Sequence, residues 1–158
     1  MDDRPLKLLV DGMLGTLAKW LRLLGYDTAY DNAATDPQLA HRARAEGRVL
    51  LTHDRELAGR RGLRALLIRS EVLGEQVREV RDALGPAPDP ALSRCAVCNA
   101  ALESIPPWDA AGRVPPYVLR TQTDFRRCPD CGRVYWPGTH VDEMQEQMDE
   151  WANQRMNE

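Results

Sequence analysis

The chain has 158 residues, of which 43% are hydrophobic, so it can form one domain with a buried core and carry a small appended module. Its net charge of −3 and pI near 5.7 exclude a general positive field for nucleic acid, although they allow an enzyme that meets phosphates through metal ions. No apolar run approaches the roughly 20 residues of a membrane span. The acidic start MDDRPLK lacks the order of a signal peptide, and we therefore expect a cytoplasmic protein with reduced thiols.

The segment 6–28 predicts a strand, an acidic residue, a turn and a helix. A short apolar run from Lys7 to Val10 ends at Asp11. Apolar residues then recur at the three- and four-residue spacing of a helix face, and Gly25 supplies a left-handed stop. In an open parallel sheet, ligands bind at the carboxyl ends of the strands. Asp11 is therefore expected at a ligand-binding edge.

The pattern then continues with strands and helices in alternation, which favours a parallel α/β sheet. Asp36 is expected to cap the next helix, with Pro37 at its first helical position. The predicted strands are 27–30, 48–52 and 63–68, and the predicted helices are 38–46, 56–60 and 71–84.

A Pro-rich segment breaks this pattern, because three prolines fall within the six residues from Gly85 to Pro90. We place a linker at 86–93, after a first domain at 1–85. Two cysteine pairs and short polar segments follow in a second domain at 94–140. The chain then continues as an acidic helical tail at 141–158, with six acids against one arginine.

Three aspartates fall at comparable places: Asp11 and Asp54 follow strands, and Asp36 opens the helix after the second strand. In parallel topology these places share one edge of the sheet, where Asp31 and Glu71 are further candidates. Like charges gathered there repel, and Mg²⁺ or Mn²⁺ would relieve the repulsion. Such an ion can activate water for phosphodiester hydrolysis.

Simpler interpretations remain for each of these residues. Asp36 and Asp54 can both be helix caps, whereas Asp11 precedes Gly-Met-Leu-Gly, which favours an exposed bend. The same segment superficially resembles the opening motif of haloacid-dehalogenase-type phosphatases. Those enzymes need a second aspartate two residues later, where this chain has Met13. His53, next to Asp54, is a candidate for substrate contact.

The four cysteines form two Cys-x-x-Cys pairs, Cys95 with Cys98 and Cys128 with Cys131. Two such pairs in a cytosolic chain predict a tetrahedral Zn²⁺ site. A site closed by four thiolates is structural and supplies folding energy to a small segment. Redox-active dithiols are the less favoured alternative, because nothing around the pairs resembles thioredoxin.

Basic and aromatic residues lie together near the second cysteine pair. The arginines are Arg126, Arg127 and Arg133, and the aromatic residues are Phe125, Tyr135 and Trp136. Such a cluster could stack bases and contact phosphates. The favoured interpretation is instead that these aromatic residues form the small core of the cysteine-bearing domain itself.

Taken together, these motifs resemble the Mut-seven carboxyl-terminal RNase domain family. The resemblance is carried by VDGMLGTLAKWLRLLGYDT, TDPQLAHRARAEGRVLLTHD, a Cys-x-x-Cys pair and FRRCPDCGRVYWPGTH, from about Leu6 to His140. It implies a PIN-like nuclease fold fused to a zinc ribbon. It also implies that Asp11, Asp36 and Asp54 match the acidic metal-binding positions of PIN-type nucleases, and that the four cysteines match the ribbon ligands. A fourth acid is not securely matched, and Asp31 and Glu71 are its candidates.

The expected function is therefore a Mg²⁺- or Mn²⁺-dependent ribonuclease acting on single-stranded RNA. Asp11, Asp36 and Asp54 would hold one or two ions, and the ribbon would position RNA or a protein partner. The alternative from another class is a non-catalytic RNA- or ribosome-associated adaptor that binds through the ribbon. A toxin-like nuclease held by an antitoxin is less favoured, because the zinc module enlarges the chain beyond a compact PIN toxin.

Overall fold

The computed structural model describes residues 5–137 and residue 146. The acidic tail helix predicted at 141–158 lies outside the described residues, apart from Glu146. No helix in the described part of the chain is long and apolar enough to cross a membrane. The strands are β1 Lys7–Val10, β2 Asp27–Tyr30, β3 Val49–Thr52, β4 Ala65–Leu67, β5 Glu103–Ile105, β6 Phe125–Arg127 and β7 Val134–Tyr135. The helices are α1 Gly15–Leu24, α2 Asp36–Glu46, α3 Arg55–Ala58, α4 Leu73–Leu84, α5 Pro107–Ala110 and α6 Pro116–Thr121.

The first four strands form one parallel sheet in the order β2-β1-β3-β4. The protein is thus α/β, with a four-stranded parallel sheet flanked by helices, as the sequence predicts. Alternate strand residues contact opposite layers of helices. Leu8 and Val10 pack with α1 and α4, whereas Leu9 and Leu50 pack with α2 and α3. Because both faces are covered, the central strands are apolar on both sides, which explains their uninterrupted hydrophobic runs.

Helix α2 begins differently from the prediction, because its N-cap is Thr35 and not Asp36. The Thr35 hydroxyl accepts from the Gln38 backbone N–H at 3.3 Å, and the Gln38 side chain accepts from the Thr35 N–H at 2.9 Å. This reciprocal pair is a capping box, which satisfies two otherwise unpaired N–H groups. Asp36 is consequently the first helical residue, and Pro37 moves to the second position. The Asp36 side chain is exposed and is not needed as a cap.

The cysteine-bearing segment forms a second, antiparallel sheet in the order β5-β6-β7. Two short helices, α5 and α6, lie between β5 and β6. Phe125, Ala110 and Val118 are buried together at the centre of this small unit. The segment between the two cysteine pairs thus contains short helices as well as strands.

Residues 85–93 run directly against the first sheet unit. The Leu92 N–H donates to the Leu23 carbonyl at 2.8 Å, and the Asp89 N–H donates to the Gly25 carbonyl at 3.2 Å. Gly25 has a φ of 106°, and a Cβ at this position would lie 2.0 Å from the Asp89 carbonyl oxygen. Only glycine can therefore end α1 here, both for its left-handed backbone and for this close approach.

Candidate functional site

Asp11 continues the extended backbone of β1 and caps the 3-10 turn Gly12–Leu14 that follows. Its backbone N–H donates to the Leu51 carbonyl of β3 at 3.1 Å, so the sheet hydrogen bonding extends to this residue. Its Oδ1 accepts from the Met13 N–H at 2.8 Å. The carboxylate is therefore held at the carboxyl end of β1, as predicted.

The glycines of this turn are required by the neighbouring strand β2. A Cβ at Gly12 would lie 2.9 Å from the Asn32 Cα, and a Cβ at Gly15 would lie 2.8 Å from the Tyr30 hydroxyl oxygen. The Tyr30 hydroxyl donates to the Gly12 carbonyl at 2.8 Å. The turn that follows Asp11 is consequently in close contact with the end of β2 and the residues after it, at the carboxyl edge of the sheet.

Thr52 at the end of β3 joins two of the three predicted acids. Its hydroxyl donates to Asp11 Oδ2 at 2.6 Å and accepts from the Asp54 backbone N–H at 3.0 Å. The Asp54 side chain caps α3, since its Oδ1 accepts from the backbone N–H groups of Glu56 and Leu57. Asp54 is thus a helix cap, as its simpler interpretation states, and it is also fixed beside Asp11 through a shared hydroxyl.

Strand alternation places Asp11 and Thr52 on the sheet face that carries α2 and α3. Asp11 falls in phase with Leu9, and Thr52 falls in phase with Leu50, both of which pack against these helices. The same helices begin at Asp36 and directly after Asp54. Asp11 and Thr52 therefore share one face of the sheet with the helices that carry the other two predicted acids.

The structure also places both candidates for a fourth acid. Val10 is the register partner of Tyr30, so the next residues, Asp11 and Asp31, follow neighbouring strands side by side. Asp31 Oδ1 accepts from the Ala33 N–H at 2.9 Å. Glu71 is exposed and follows β4 at the far side of the sheet order. The register favours Asp31 over Glu71 as the acid nearest to Asp11.

The acids share an edge without forming a closed cluster. Within residues 5–137 and residue 146, the four cysteines are the set of at least three metal-ligating side chains whose ligand atoms all lie within 4.8 Å of one another. Asp36 and Asp54 are exposed, and Asp11 is half-buried. The described carboxylates at this edge therefore do not form an all-protein cage for a cation.

His53 lies between Thr52 and Asp54 and is held in one tautomer. Its Nδ1 is 2.7 Å from the Ile68 carbonyl oxygen. Because a carbonyl only accepts, Nδ1 must carry the proton in this contact. Nε2 is the ring nitrogen that takes no part in it.

The four cysteines form the second candidate site. Cys95 Sγ and Cys131 Sγ lie 3.7 Å apart, and all four sulfurs lie within 4.8 Å of one another. A tetrahedral site with Zn–S bonds of about 2.3 Å separates its sulfurs by roughly 3.8 Å, so these cysteines fit Zn²⁺. The Cys98 N–H points at Cys95 Sγ at 3.4 Å, and the Cys131 N–H points at Cys128 Sγ at 3.5 Å. Both pairs therefore form the tight turns of metal-binding knuckles.

Thiolate formation is favoured at one of these cysteines. Hydrogen bonds from the backbone and then the side chain of Arg133 lower the pKa of Cys131 to about 6. Metal binding requires thiolates, so this arginine assists binding through hydrogen bonds to the ligand sulfur. Of the three arginines in the basic and aromatic cluster, Arg133 thus lies beside the cysteines and hydrogen-bonds one of them.

The predicted basic and aromatic cluster is mostly part of the ribbon's interior. Phe125 is 1% exposed, and Trp136 packs partly against the same core. The Tyr135 hydroxyl contacts Cys95 Sγ at 3.2 Å and accepts from the Ala96 N–H at 3.1 Å. Arg126 donates to the Leu92 carbonyl at 2.6 Å. Phe125 and Trp136 therefore belong to the ribbon's own core, as the favoured interpretation states, whereas Tyr135 packs against Leu23, Leu92 and Ala96.

Two other aromatic residues of the ribbon are exposed, and sequence reasoning missed them. Trp108 on α5 is 76% exposed, and Tyr117 on α6 is 62% exposed. Each follows a Pro-Pro pair that begins a short helix, and this repeated Pro-Pro-aromatic pattern is a signal that could have identified them. Exposed aromatic rings are able to stack on the bases of single-stranded nucleic acid.

A model of the Mut7-C RNAse domain family matches residues 6–148 of the chain. Since this match covers most of the chain, the protein belongs to that family, as the sequence motifs predict. The family description indicates a nuclease-like function with RNA as the substrate. No curated protein and no solved structure matches the chain significantly.

Proposed function

We propose that this member of the Mut7-C RNAse domain family is a Mg²⁺- or Mn²⁺-dependent ribonuclease, with its active site at the carboxyl edge of the parallel sheet. The observation that carries the proposal is the buried Thr52 hydroxyl, which bonds the Asp11 carboxylate and the Asp54 backbone together. A carboxylate that is held in place at a sheet edge is a ready ligand for a hard cation.

Asp11, Asp36 and Asp54 are the proposed ligands, with Asp31 as the preferred fourth acid. A divalent cation bound there would supply activation of a water molecule and stabilise the charge that develops on the phosphate. Asp11 would be oriented by Thr52 and by the Met13 N–H, and it would keep lone pairs for a cation because each carboxylate oxygen has two. Asp36 and Asp54 are both exposed, and Asp54 would bind the cation through Oδ2 while its Oδ1 caps α3.

The amino end of the longer helix α2 would assist at the same edge, because its partial positive charge favours a phosphate group near Asp36.

The ribbon is proposed to hold one structural Zn²⁺ through Cys95, Cys98, Cys128 and Cys131. A site of four thiolates requires reduced cysteines, which suits a cytoplasmic protein. Trp108 and Tyr117 are proposed to stack on bases of single-stranded RNA, since their rings are largely exposed while the neighbouring Ala110 and Val118 are buried.

A second function, that of a non-catalytic RNA- or ribosome-associated adaptor, is favoured by a specific observation. The three proposed catalytic acids do not have their oxygens within 4.8 Å of one another in the described residues, whereas the cysteines do. An adaptor would need only the ribbon and its exposed aromatic rings.

Cleavage of labelled single-stranded RNA distinguishes the two functions. The wild-type protein should cut in Mn²⁺ and not in EDTA, and Asp11→Asn should lose at least about 100-fold of the rate. Glu103→Gln is the matched control, because it removes one exposed carboxylate from the ribbon strand β5. Cleavage that persists in EDTA or in Asp11→Asn would refute the nuclease proposal. Binding without any cleavage in Mn²⁺ would instead support the adaptor.

A further inference from the structure

Strand β2 is at the edge of the parallel sheet, with β1 on one side and no strand of the described chain on the other. An uncovered edge strand exposes backbone N–H and C=O groups that can pair with another chain. Thr28 in the middle of β2 is nevertheless fully buried. Its N–H donates to Asn99 Oδ1 at 3.0 Å, and its carbonyl accepts from Arg22 Nε at 2.8 Å.

Both of these partners are connected to the first cysteine knuckle, residues 95–99. Asn99 is part of the knuckle, and Arg22 is bound by its backbone. Arg22 is 8% exposed, and its Nη1 donates to the carbonyls of Ala96 at 2.9 Å and Val97 at 3.1 Å. These two residues lie between Cys95 and Cys98. The backbone carbonyls of the knuckle therefore accept hydrogen bonds from Nη1 of the buried Arg22, while its Nε bonds the edge strand at Thr28.

The two carbonyls stabilise the charge of the buried Arg22 side chain. Burial lowers the pKa of the Arg22 guanidinium, although negative charge on the sulfurs of Cys95 and Cys98 acts in the opposite direction. A buried cation without hydrogen-bond partners is strongly unfavourable. If the knuckle loses its shape, Arg22 loses two hydrogen-bond acceptors. Its buried position beside Thr28 then becomes unfavourable, and the side chain is expected to move into water.

Asn99 makes the second connection from the knuckle. Its N–H donates to the Cys95 carbonyl at 2.9 Å, and its backbone is left-handed with a φ of 65°. Its Nδ2 donates to Asp27 Oδ1 at 2.8 Å, which in turn accepts from Arg48 at 2.9 Å. One residue of the knuckle thus contacts both Asp27 and Thr28 of the edge strand.

We infer that the first cysteine knuckle is a metal-dependent cover for the edge of the parallel sheet. With the four cysteines loaded by Zn²⁺, residues 95–99 keep the turn that presents two carbonyls to Arg22 and one amide to Thr28. Loss of the metal uncovers β2 and leaves the central strands β1 and β3 paired. The inference concerns the fold and does not depend on the proposed nuclease activity.

The cover has a consequence for the proposed active edge, and this part rests on the proposed function. β2 leads directly into Asp31 and then into α2 with Asp36. Asn99 contacts Asp27 and Thr28 near the amino end of β2, and the two acids follow its carboxyl end. Zinc occupancy would therefore control how well these two acids are ordered.

Amide hydrogen exchange of the full-length protein tests the inference without an activity measurement. We expect removal of zinc by a chelator to speed exchange at Thr28 at least about 10-fold, while Leu50 and Leu51 in β3 remain protected. Re-addition of Zn²⁺ alone should restore the protection. Unchanged exchange at Thr28 after chelation would overturn the inference. Equal acceleration in β2 and β3 would also overturn it, because the metal would then hold the whole fold.

Asn99→Gly provides a variant that separates the metal from the cover. Glycine keeps the left-handed backbone, so the variant should still bind one Zn²⁺ per chain, but it lacks the amide that bonds Asp27 and Thr28. Exchange at Thr28 should then rise even with zinc bound. Val97→Ala, an exposed side chain whose backbone carbonyl is retained, is the matched control and should behave as the wild type. Wild-type exchange in Asn99→Gly would refute the role of Asn99.

Discussion

The Thr52 hydroxyl lies 2.6 Å from Asp11 Oδ2, and the Thr52 side chain is completely buried. This hydrogen bond links the ends of two neighbouring parallel strands, β1 and β3. It orients a carboxylate before any ligand arrives, which reduces the ordering that binding would otherwise require.

Thr52→Val should impair both stability and the proposed catalysis. Valine has a similar shape but cannot donate to Asp11 or accept from the Asp54 N–H, so a buried group loses its partner at about 1–3 kcal/mol. The free energy of unfolding, measured in urea, should fall by that amount, and the rate of RNA cleavage should fall about 10- to 100-fold. Thr52→Ser keeps the hydroxyl and should retain most of the cleavage rate. Equal loss of rate in both variants would contradict this role.

Gly15 and Tyr30 should be energetically coupled. Alanine is normally favoured over glycine in a helix by about 1 kcal/mol, but a Cβ at Gly15 would lie 2.8 Å from the Tyr30 hydroxyl oxygen. Gly15→Ala should therefore destabilise the protein, as should Tyr30→Phe, which loses the bond to the Gly12 carbonyl. In the double variant the losses should be clearly less than additive in urea unfolding. Simple additivity would show that the two positions do not compete for space.

Asp27 should make stability dependent on acid pH. Burial alone would raise the pKa of Asp27, but hydrogen bonds from Arg48 and Asn99 outweigh it and hold the pKa below its ordinary value. A depressed folded pKa gives stability that is present above the unfolded pKa of about 4 and is lost as the pH falls through the folded pKa. Asp27→Asn should thus be less stable than the wild type at pH 7, with the difference shrinking below pH 4. A constant difference across this range would exclude Asp27 as the cause.

The cysteines should bind one zinc ion per chain. Elemental analysis of purified protein should find about one equivalent, and Cys128→Ser should lose it because a structural site needs all four ligands. Ser93→Ala, which leaves every cysteine in place, is the control. Zinc-free wild-type protein that unfolds at an unchanged temperature would contradict a structural site.

Trp108 and Tyr117 should contribute to RNA affinity without affecting the fold. Stacking of a base on an aromatic ring is worth about 1–3 kcal/mol, so Trp108→Ala should weaken binding of single-stranded RNA roughly 5- to 150-fold. Tyr117→Ala should act in the same direction. Fluorescence anisotropy with labelled RNA in EDTA measures the affinity without cleavage, and Val72→Ala, another exposed apolar side chain, is the control. Unchanged affinity in both aromatic variants would exclude this surface.

The parallel sheet could be predicted from the sequence because its signals are local. Apolar runs such as Lys7–Val10 end at acidic or turn residues, and Gly25 and Gly47 stop α1 and α2 where left-handed backbone is required. The prediction of Asp36 as the cap of α2 is wrong, because Thr35 and Asp36 are both good caps and neighbour each other. The capping box with Gln38 decides in favour of Thr35.

The remaining features depend on contacts between residues distant in the chain. Nothing near Arg22 in sequence indicates that it is buried against Ala96, 74 residues later. The same holds for Asn99, which looks like an ordinary turn residue until its bonds to Asp27 and Thr28 are known. For the acidic site, strand ends predicted the shared edge, but the role of Thr52 required the register of β1 against β3.

The approach of residues 89–92 to the end of α1 has a consequence for how the protein is made. During synthesis the four parallel strands leave the ribosome before residues 89–99, which later fill the space beside Gly25 and Thr28. A nascent chain that has reached only α4 thus exposes the unpaired backbone groups of β2, which can pair with a neighbouring molecule. Slow delivery of the later segment, or scarce zinc at that moment, would favour aggregation over folding.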